Sequence, residues 1–262
     1  MSGVAVMLHS TSSGAGRPLV LLHGLFGMGN NLGSVARALQ SHYRVHSVDL
    51  PNHGRSGWMD GAGLPAMADC LRLWMDHQGI HSACLLGHSL GGKVAMQFAL
   101  SQPARVAGLV VADIAPVVYP SHHDGVFAAL DAVAAANCRS REEASKLMAA
   151  HIAEQGVIQF LLMSLQRGGD GTYAWRFNLE GIRRDYAAVR EAPVASAPYL
   201  GPTLFIRGGD SDYIREEHRH EILGLFPHAA LKMMPGCGHW LHVERPSLFN
   251  SIARRFLDSQ TF

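Results

Sequence analysis

Between positions 19 and 114 the chain carries four short runs rich in apolar residues, each stopped by glycine or proline. Residues 19–22 end at His23-Gly24, and residues 45–50 are closed by Pro51 and Gly54. Residues 83–86 end at Gly87, and residues 106–114 are closed by Pro116. A strand that is apolar without alternation is buried on both faces, and such strands belong to parallel sheets covered by helices. Helical patterns with apolar residues at three-to-four spacing fill the gaps, over 32–39, 67–75 and 90–100. The predicted fold class is α/β, a mostly parallel sheet flanked by helices.

The alternation stops after Pro116. Residues 117–197 are rich in Ala, Leu and Met, and helices are expected over 124–136, 141–153, 157–166 and 180–191. Gly168-Gly169-Asp170-Gly171 reads as a helix breaker, and Pro193 and Pro198 as the return to the sheet. Strands are then expected at 203–207 and 230–234, and a closing helix at 247–257. The expected organisation is a core formed by 1–116 and 198–262, with an inserted helical cap over 117–197. Ser12-Ser13-Gly14-Ala15-Gly16 reads as a turn between early strands.

Composition narrows the partners. With 48% hydrophobic and 16% charged residues in 262, the chain can bury a large core. A net charge of +1, counting the 16 His as neutral, gives no footprint for nucleic acid or an anionic membrane. A small-molecule substrate is expected instead. Cys70, Cys84, Cys138 and Cys237 are scattered, with neither CxxC pairs nor zinc-ligand spacing. Free thiols, no metal and no organic cofactor are expected. Residues 1–9 lack the basic and apolar pattern of a signal peptide, and no apolar run is long enough to span a bilayer. The expected location is the cytoplasm.

The third apolar run leads into Gly87-His88-Ser89-Leu90-Gly91-Gly92. A G-x-S-x-G between a strand and a helix makes a tight turn that thrusts the serine out above the sheet edge. There the helix N-terminus favours developing negative charge. Ser89 is the candidate nucleophile. A hydroxyl needs a base to take its proton, and His239, in Gly236-Cys237-Gly238-His239-Trp240, follows the last predicted strand. His218, His220, His122 and His123 lie in polar stretches that follow no predicted strand, and His242 falls in the next segment.

Acyl transfer also needs backbone N–H groups aimed at the oxyanion. Leu90, just after the serine, and Leu25, in His23-Gly24-Leu25-Phe26-Gly27, are the expected donors. His23 reads as a structural hydrogen-bonder, and Asp49-Leu50-Pro51-Asn52-His53-Gly54-Arg55-Ser56 as a turn tied by side-chain hydrogen bonds. Spacing leaves the acid open between Asp113, at the end of its strand, and Asp210 or Asp212, after residues 203–207.

These motifs, together with Asp113-Ile114-Ala115-Pro116, Gly156-Val157-Ile158-Gln159-Phe160-Leu161-Leu162 and Trp175-Arg176-Phe177-Asn178, resemble those of the bacterial YbfF-type esterases. They also resemble the related mitochondrial abhydrolase-domain 11 proteins. The resemblance runs through nearly the whole chain. It implies an α/β-hydrolase core with a helical cap and hydrolysis of acyl esters, acyl-CoA thioesters among the alternatives. It also implies Asp113 as the acid and Ser211 as an auxiliary member of the set. The chain departs from the family's Gly-Gly-Asn-Ser pattern by reading Gly208-Gly209-Asp210-Ser211-Asp212, which keeps Asp212 as an alternative acid.

The expected function is a serine esterase that works through an acyl-enzyme. Perhydrolysis, C–C bond hydrolysis and a non-catalytic ligand-binding role are the competing readings. Dehalogenase and epoxide-hydrolase chemistry are disfavoured, because both need a carboxylate where Ser89 stands. Phe127, Leu130, Phe160, Leu161 and Met163 are candidates to line an acyl pocket or simply to pack the cap.

Overall fold

A computed structural model describes residues 6–260. The chain opens with strands β1 (Ser10–Ser13) and β2 (Arg17–Leu22), then helix α1 (Gly33–Leu39), β3 (Tyr43–Val48), α2 (Leu64–His77), β4 (Ala83–His88), α3 (Leu90–Ser101) and β5 (Val106–Ala112). After the inserted segment come β8 (Thr203–Gly208), α8 (Arg219–Leu225), β9 (Ala229–Met234), α9 (Leu241–Glu244) and α10 (Pro246–Asp258). The seven strands form one sheet in the order β1-β3-β2-β4-β5-β8-β9, and all neighbours except β1 and β3 run parallel.

Strand parity divides the core into two layers. Leu19 and Leu21 of β2 point to one face, where they join Leu32, Leu39, Phe249 and Leu257 from α1, α10 and the short 3-10 helix (Gly29–Leu32) before α1. Val20 and Leu22 point to the other, with Leu71, Trp74, Val94 and Phe98 of α2 and α3. Helix α3 is buried from Leu90 to Leu100, with its polar Lys93 and Gln97 hydrogen-bonded to backbone groups of the inserted segment.

Between β5 and β8 the chain leaves the sheet and forms α4 (Asp124–Ala136), α5 (Arg141–Met148), α6 (Gln155–Leu162), β6 (Leu165–Arg167), β7 (Tyr173–Trp175) and α7 (Leu179–Arg190). Two sequence expectations need correction here. The helices expected over 141–153 and 157–166 stop at Met148 and Leu162, and Leu165–Arg167 is a strand paired antiparallel with Tyr173–Trp175. The glycine-rich stretch is the turn of that hairpin, closed by Gly168 N–H donating to the Thr172 carbonyl at 2.7 Å. Near the N-terminus, Ser12 and Ser13 belong to β1, so the turn is confined to the residues that follow.

Candidate active site

Ser89 sits between β4 and α3 with φ 53° and ψ −120°, outside the conformations an L-residue adopts freely. Such a position costs about 1–3 kcal/mol and persists because its surroundings over-determine it. The surroundings here are backbone. A Cβ on Gly87 would stand 2.2 Å from the Gly91 carbonyl oxygen, and one on Gly91 would stand 2.2 Å from that of Leu22. Ser89 N–H donates to the Ala112 carbonyl at 3.0 Å, which ties the turn to the end of β5.

Asp113 follows that strand end directly. It too has a positive φ, 51°, and its side chain is fully buried. Oδ1 accepts the Gly208 N–H at 2.9 Å; Oδ2 accepts the Ser211 hydroxyl at 2.5 Å and lies 2.8 Å from His239 Nδ1. A buried carboxylate needs such donors. Facing a carboxylate, Nδ1 carries the ring proton and leaves Nε2 as an acceptor. Asp210 and Asp212 are exposed.

His239 lies on the loop between β9 and α9, with its side chain 18% exposed. Its ring is stacked on Tyr213, centroids 4.0 Å apart, and His88 Nε2 donates to its carbonyl at 2.8 Å. His88 is fully buried and held well below the usual imidazole range by burial, then by His242 and His239, so it stays neutral. His242, the nearest rival base in the sequence, is buried against His88 at 4.4 Å and pushed down to about 4 by burial. It is absent from the cavity wall that Ser89 and His239 share.

The loop after β2 is shaped by two neutral histidines. His23 Nε2 accepts the Leu50 N–H at 3.0 Å while its Nδ1 donates to the Gly24 carbonyl at 2.8 Å. His53 Nε2 accepts the Phe26 N–H at 3.1 Å, and Nδ1 donates to the Pro51 carbonyl at 2.8 Å. Burial lowers both, His53 to about 3. Phe26 has φ 62°, and its carbonyl accepts the Ser164 hydroxyl at 2.7 Å. Gly24, Leu25 and Phe26 of this loop all line the cavity beside Leu90, and the Phe26 amide is occupied by its bond to His53. As the first residue of α3, Leu90 has no intrahelical acceptor for its amide. Asp49 is engaged in its turn, accepting from Gly29 N–H at 2.7 Å and Arg55 N–H at 2.9 Å.

Ser89, His239, Leu25 and Leu90 open onto one cavity of about 400 Å³, whose apolar wall includes Ile114, Val157, Phe160, Leu161 and Trp240. Of the apolar candidates from the sequence, Phe160 and Leu161 line it. Phe127 and Leu130 are buried packing residues, Phe127 edge-on to Phe26 at 5.4 Å. Met163 falls just past the end of α6, leaves its buried face and is 52% exposed.

Several residues of the cavity wall went unassigned in the sequence. His122 and His123 line it, with His122 Nε2 2.7 Å from the Tyr213 hydroxyl and His123 Nδ1 2.5 Å from that of Tyr186. Lys93 also lines it; a lone cation in the apolar run of α3 was a visible signal. Among the described residues no cluster of His, Cys, Asp and Glu could hold a metal ion, and no helix is long and apolar enough to cross a membrane.

A family model described as the alpha/beta hydrolase fold matches residues 17–246. The chain belongs to the α/β-hydrolase family. Within that family it is 40% identical to Esterase YbfF of Escherichia coli (strain K12), over 92% of this chain and 93% of that protein. It is 39% identical to the sn-1-specific diacylglycerol lipase ABHD11 of Mus musculus, over 91% of this chain and 80% of that one. Among solved α/β-hydrolase structures, a marine microorganism esterase superposes with a TM-score of 0.93 at 34% identity, covering 96% of this chain and 99% of that one. The two branches that the motifs resemble are thus among the relatives.

Proposed function

We propose that the protein is a serine carboxylic-ester hydrolase with Ser89 as nucleophile, His239 as base and Asp113 as acid. The observation that carries this reading is the convergence on one cavity of a strained Ser89 and an imidazole whose Nδ1 faces a buried carboxylate. His239 Nε2 takes the proton as Ser89 Oγ attacks the acyl carbon, and the Leu25 and Leu90 amides receive the oxyanion. The imidazolium, stabilised by Asp113, then protonates the leaving alcohol. Water repeats the sequence on the acyl-enzyme and releases the acid. Ser211 supports Asp113 by donating to the oxygen that faces His239. No step calls for a metal or an organic cofactor.

Residues 117–197 act in this reading as a cap, because they supply Val157, Phe160 and Leu161 to the cavity wall. The substrate is a small acyl ester. Four free, buried cysteines suit a reducing cytoplasm. The test is turnover of a short-chain chromogenic ester together with titration by a fluorophosphonate. Turnover abolished by one equivalent of reagent supports the reading. A folded protein that is neither labelled nor active overturns it.

A further inference from the structure

Two cations line the cavity, and their donors are spent very differently. Lys93 Nζ gives all its protons to backbone carbonyls, those of Val117 at 2.9 Å, Arg190 at 2.7 Å and Glu191 at 2.7 Å. Arg190, the last residue of α7, gives one bond from Nη1 to the Tyr119 carbonyl at 2.6 Å and lies 5.0 Å from the Tyr186 ring centroid. Its Nε is buried without an acceptor, and no carboxylate among the described residues forms an ion pair with it. Glu154, the carboxylate of the cavity lining, is exposed.

A guanidinium keeps its charge at any physiological pH, and its planar fork matches a carboxylate in two parallel hydrogen bonds. Leaving such a group with unspent donors in a mostly apolar cavity costs free energy that a bound anion recovers. Arg190 lines the same cavity as Ser89 and His239.

We propose that Arg190 is a specificity residue that binds a carboxylate carried by the substrate, so that the preferred esters are half-esters of short dicarboxylic acids. The proposal rests on the ester-hydrolase reading and narrows it. A fully neutral ester leaves the Arg190 donors unpaired in the complex, whereas a half-ester fills them while its ester carbonyl faces Ser89. A cavity of about 400 Å³ suits a short chain.

The test compares the monomethyl esters of succinic, glutaric and adipic acids, each beside its neutral amide isostere. For at least one chain length the wild type is expected to favour the anion by about tenfold or more in kcat/KM. That ratio falls toward one in Arg190→Gln and is partly kept in Arg190→Lys. Equal or better turnover of the neutral partner at every length overturns the proposal, as does a preference that survives Arg190→Gln. In either case turnover of the neutral esters leaves the hydrolase reading standing. If neither series turns over, the chromogenic ester and the fluorophosphonate decide the hydrolase reading, and calorimetry with glutarate decides this proposal. Binding that is lost in Arg190→Gln supports an anion site at Arg190; no binding, or equal binding, overturns it.

Discussion

Tyr213 lies flat on His239, ring centroids 4.0 Å apart and planes 22° from parallel. The tyrosine is itself held on several sides. Its N–H donates to Ser211 Oγ at 3.3 Å, its carbonyl accepts the Tyr119 hydroxyl, and its own hydroxyl is 2.7 Å from His122 Nε2. Ser211 in turn donates to Asp113. The loop from Ser211 to Tyr213 therefore touches the proposed acid and the proposed base together. Burial pushes the Tyr213 hydroxyl up to about 12, so it stays neutral across the working range.

If the stack positions the imidazole, Tyr213→Ala should lower kcat more than it changes KM. A ring–ring contact is worth about 1 kcal/mol, which corresponds to roughly a fivefold loss. Tyr213→Phe keeps the ring and should retain most of the rate. Steady-state kinetics on one short ester check this, and an Ala variant with wild-type kcat contradicts it.

Acid should destabilise the fold well before carboxylates titrate. His53 and His123 are held near 3 and His242 near 4, all mainly by burial, against an ordinary imidazole value of about 6.5. Below pH 6.5 the unfolded chain takes up these protons and the folded chain does not, so stability falls as pH drops through that window. Each such group contributes up to about 1.4 kcal/mol per pH unit. Urea midpoints measured at pH 7.5, 6.0 and 5.0 should decline steadily, with a shallower decline in His53→Gln. Midpoints that do not change between pH 7.5 and 5.0 contradict the buried, neutral state of these rings.

The choice between the two acids is open to direct comparison. Asp113 is fully buried and faces His239 Nδ1, whereas Asp212 is exposed. Asp113→Asn keeps the shape and removes the charge that stabilises the imidazolium, so kcat should drop by roughly three to four orders of magnitude. Asp212→Asn should stay within about twofold, because solvent screens an exposed charge. The reverse ranking, with both variants folded, would reassign the acid.

The parts of this molecule legible in the sequence are those fixed by short-range rules. The runs feeding β2, β4 and β5 are mostly apolar without alternation, and the glycines around Ser89 allow a tight turn. Asp113 was visible as a polar residue ending an apolar run. What escaped depends on contacts between distant segments. Strands β6 and β7 have three residues each, too few to show a period, so Leu165 read as the tail of a helix. His122 and His123 read as polar loop residues, yet the fold brings His122 to Tyr213, 91 residues away. Nothing local to Tyr213 announces its stack on His239, and nothing local to Arg190 announces that its donors go unspent.

The central claim is that Ser89 Oγ forms the acyl-enzyme, and Ser89→Ala tests it most directly, because the substitution removes one oxygen from a turn held by backbone contacts. The measurement is kcat/KM for a short-chain ester, with the fold verified by circular dichroism and thermal unfolding. The variant is expected to stay folded and lose about three orders of magnitude or more, keeping only the rate that binding and the oxyanion donors supply. A folded Ser89→Ala protein that hydrolyses the ester at close to the wild-type rate would contradict the account.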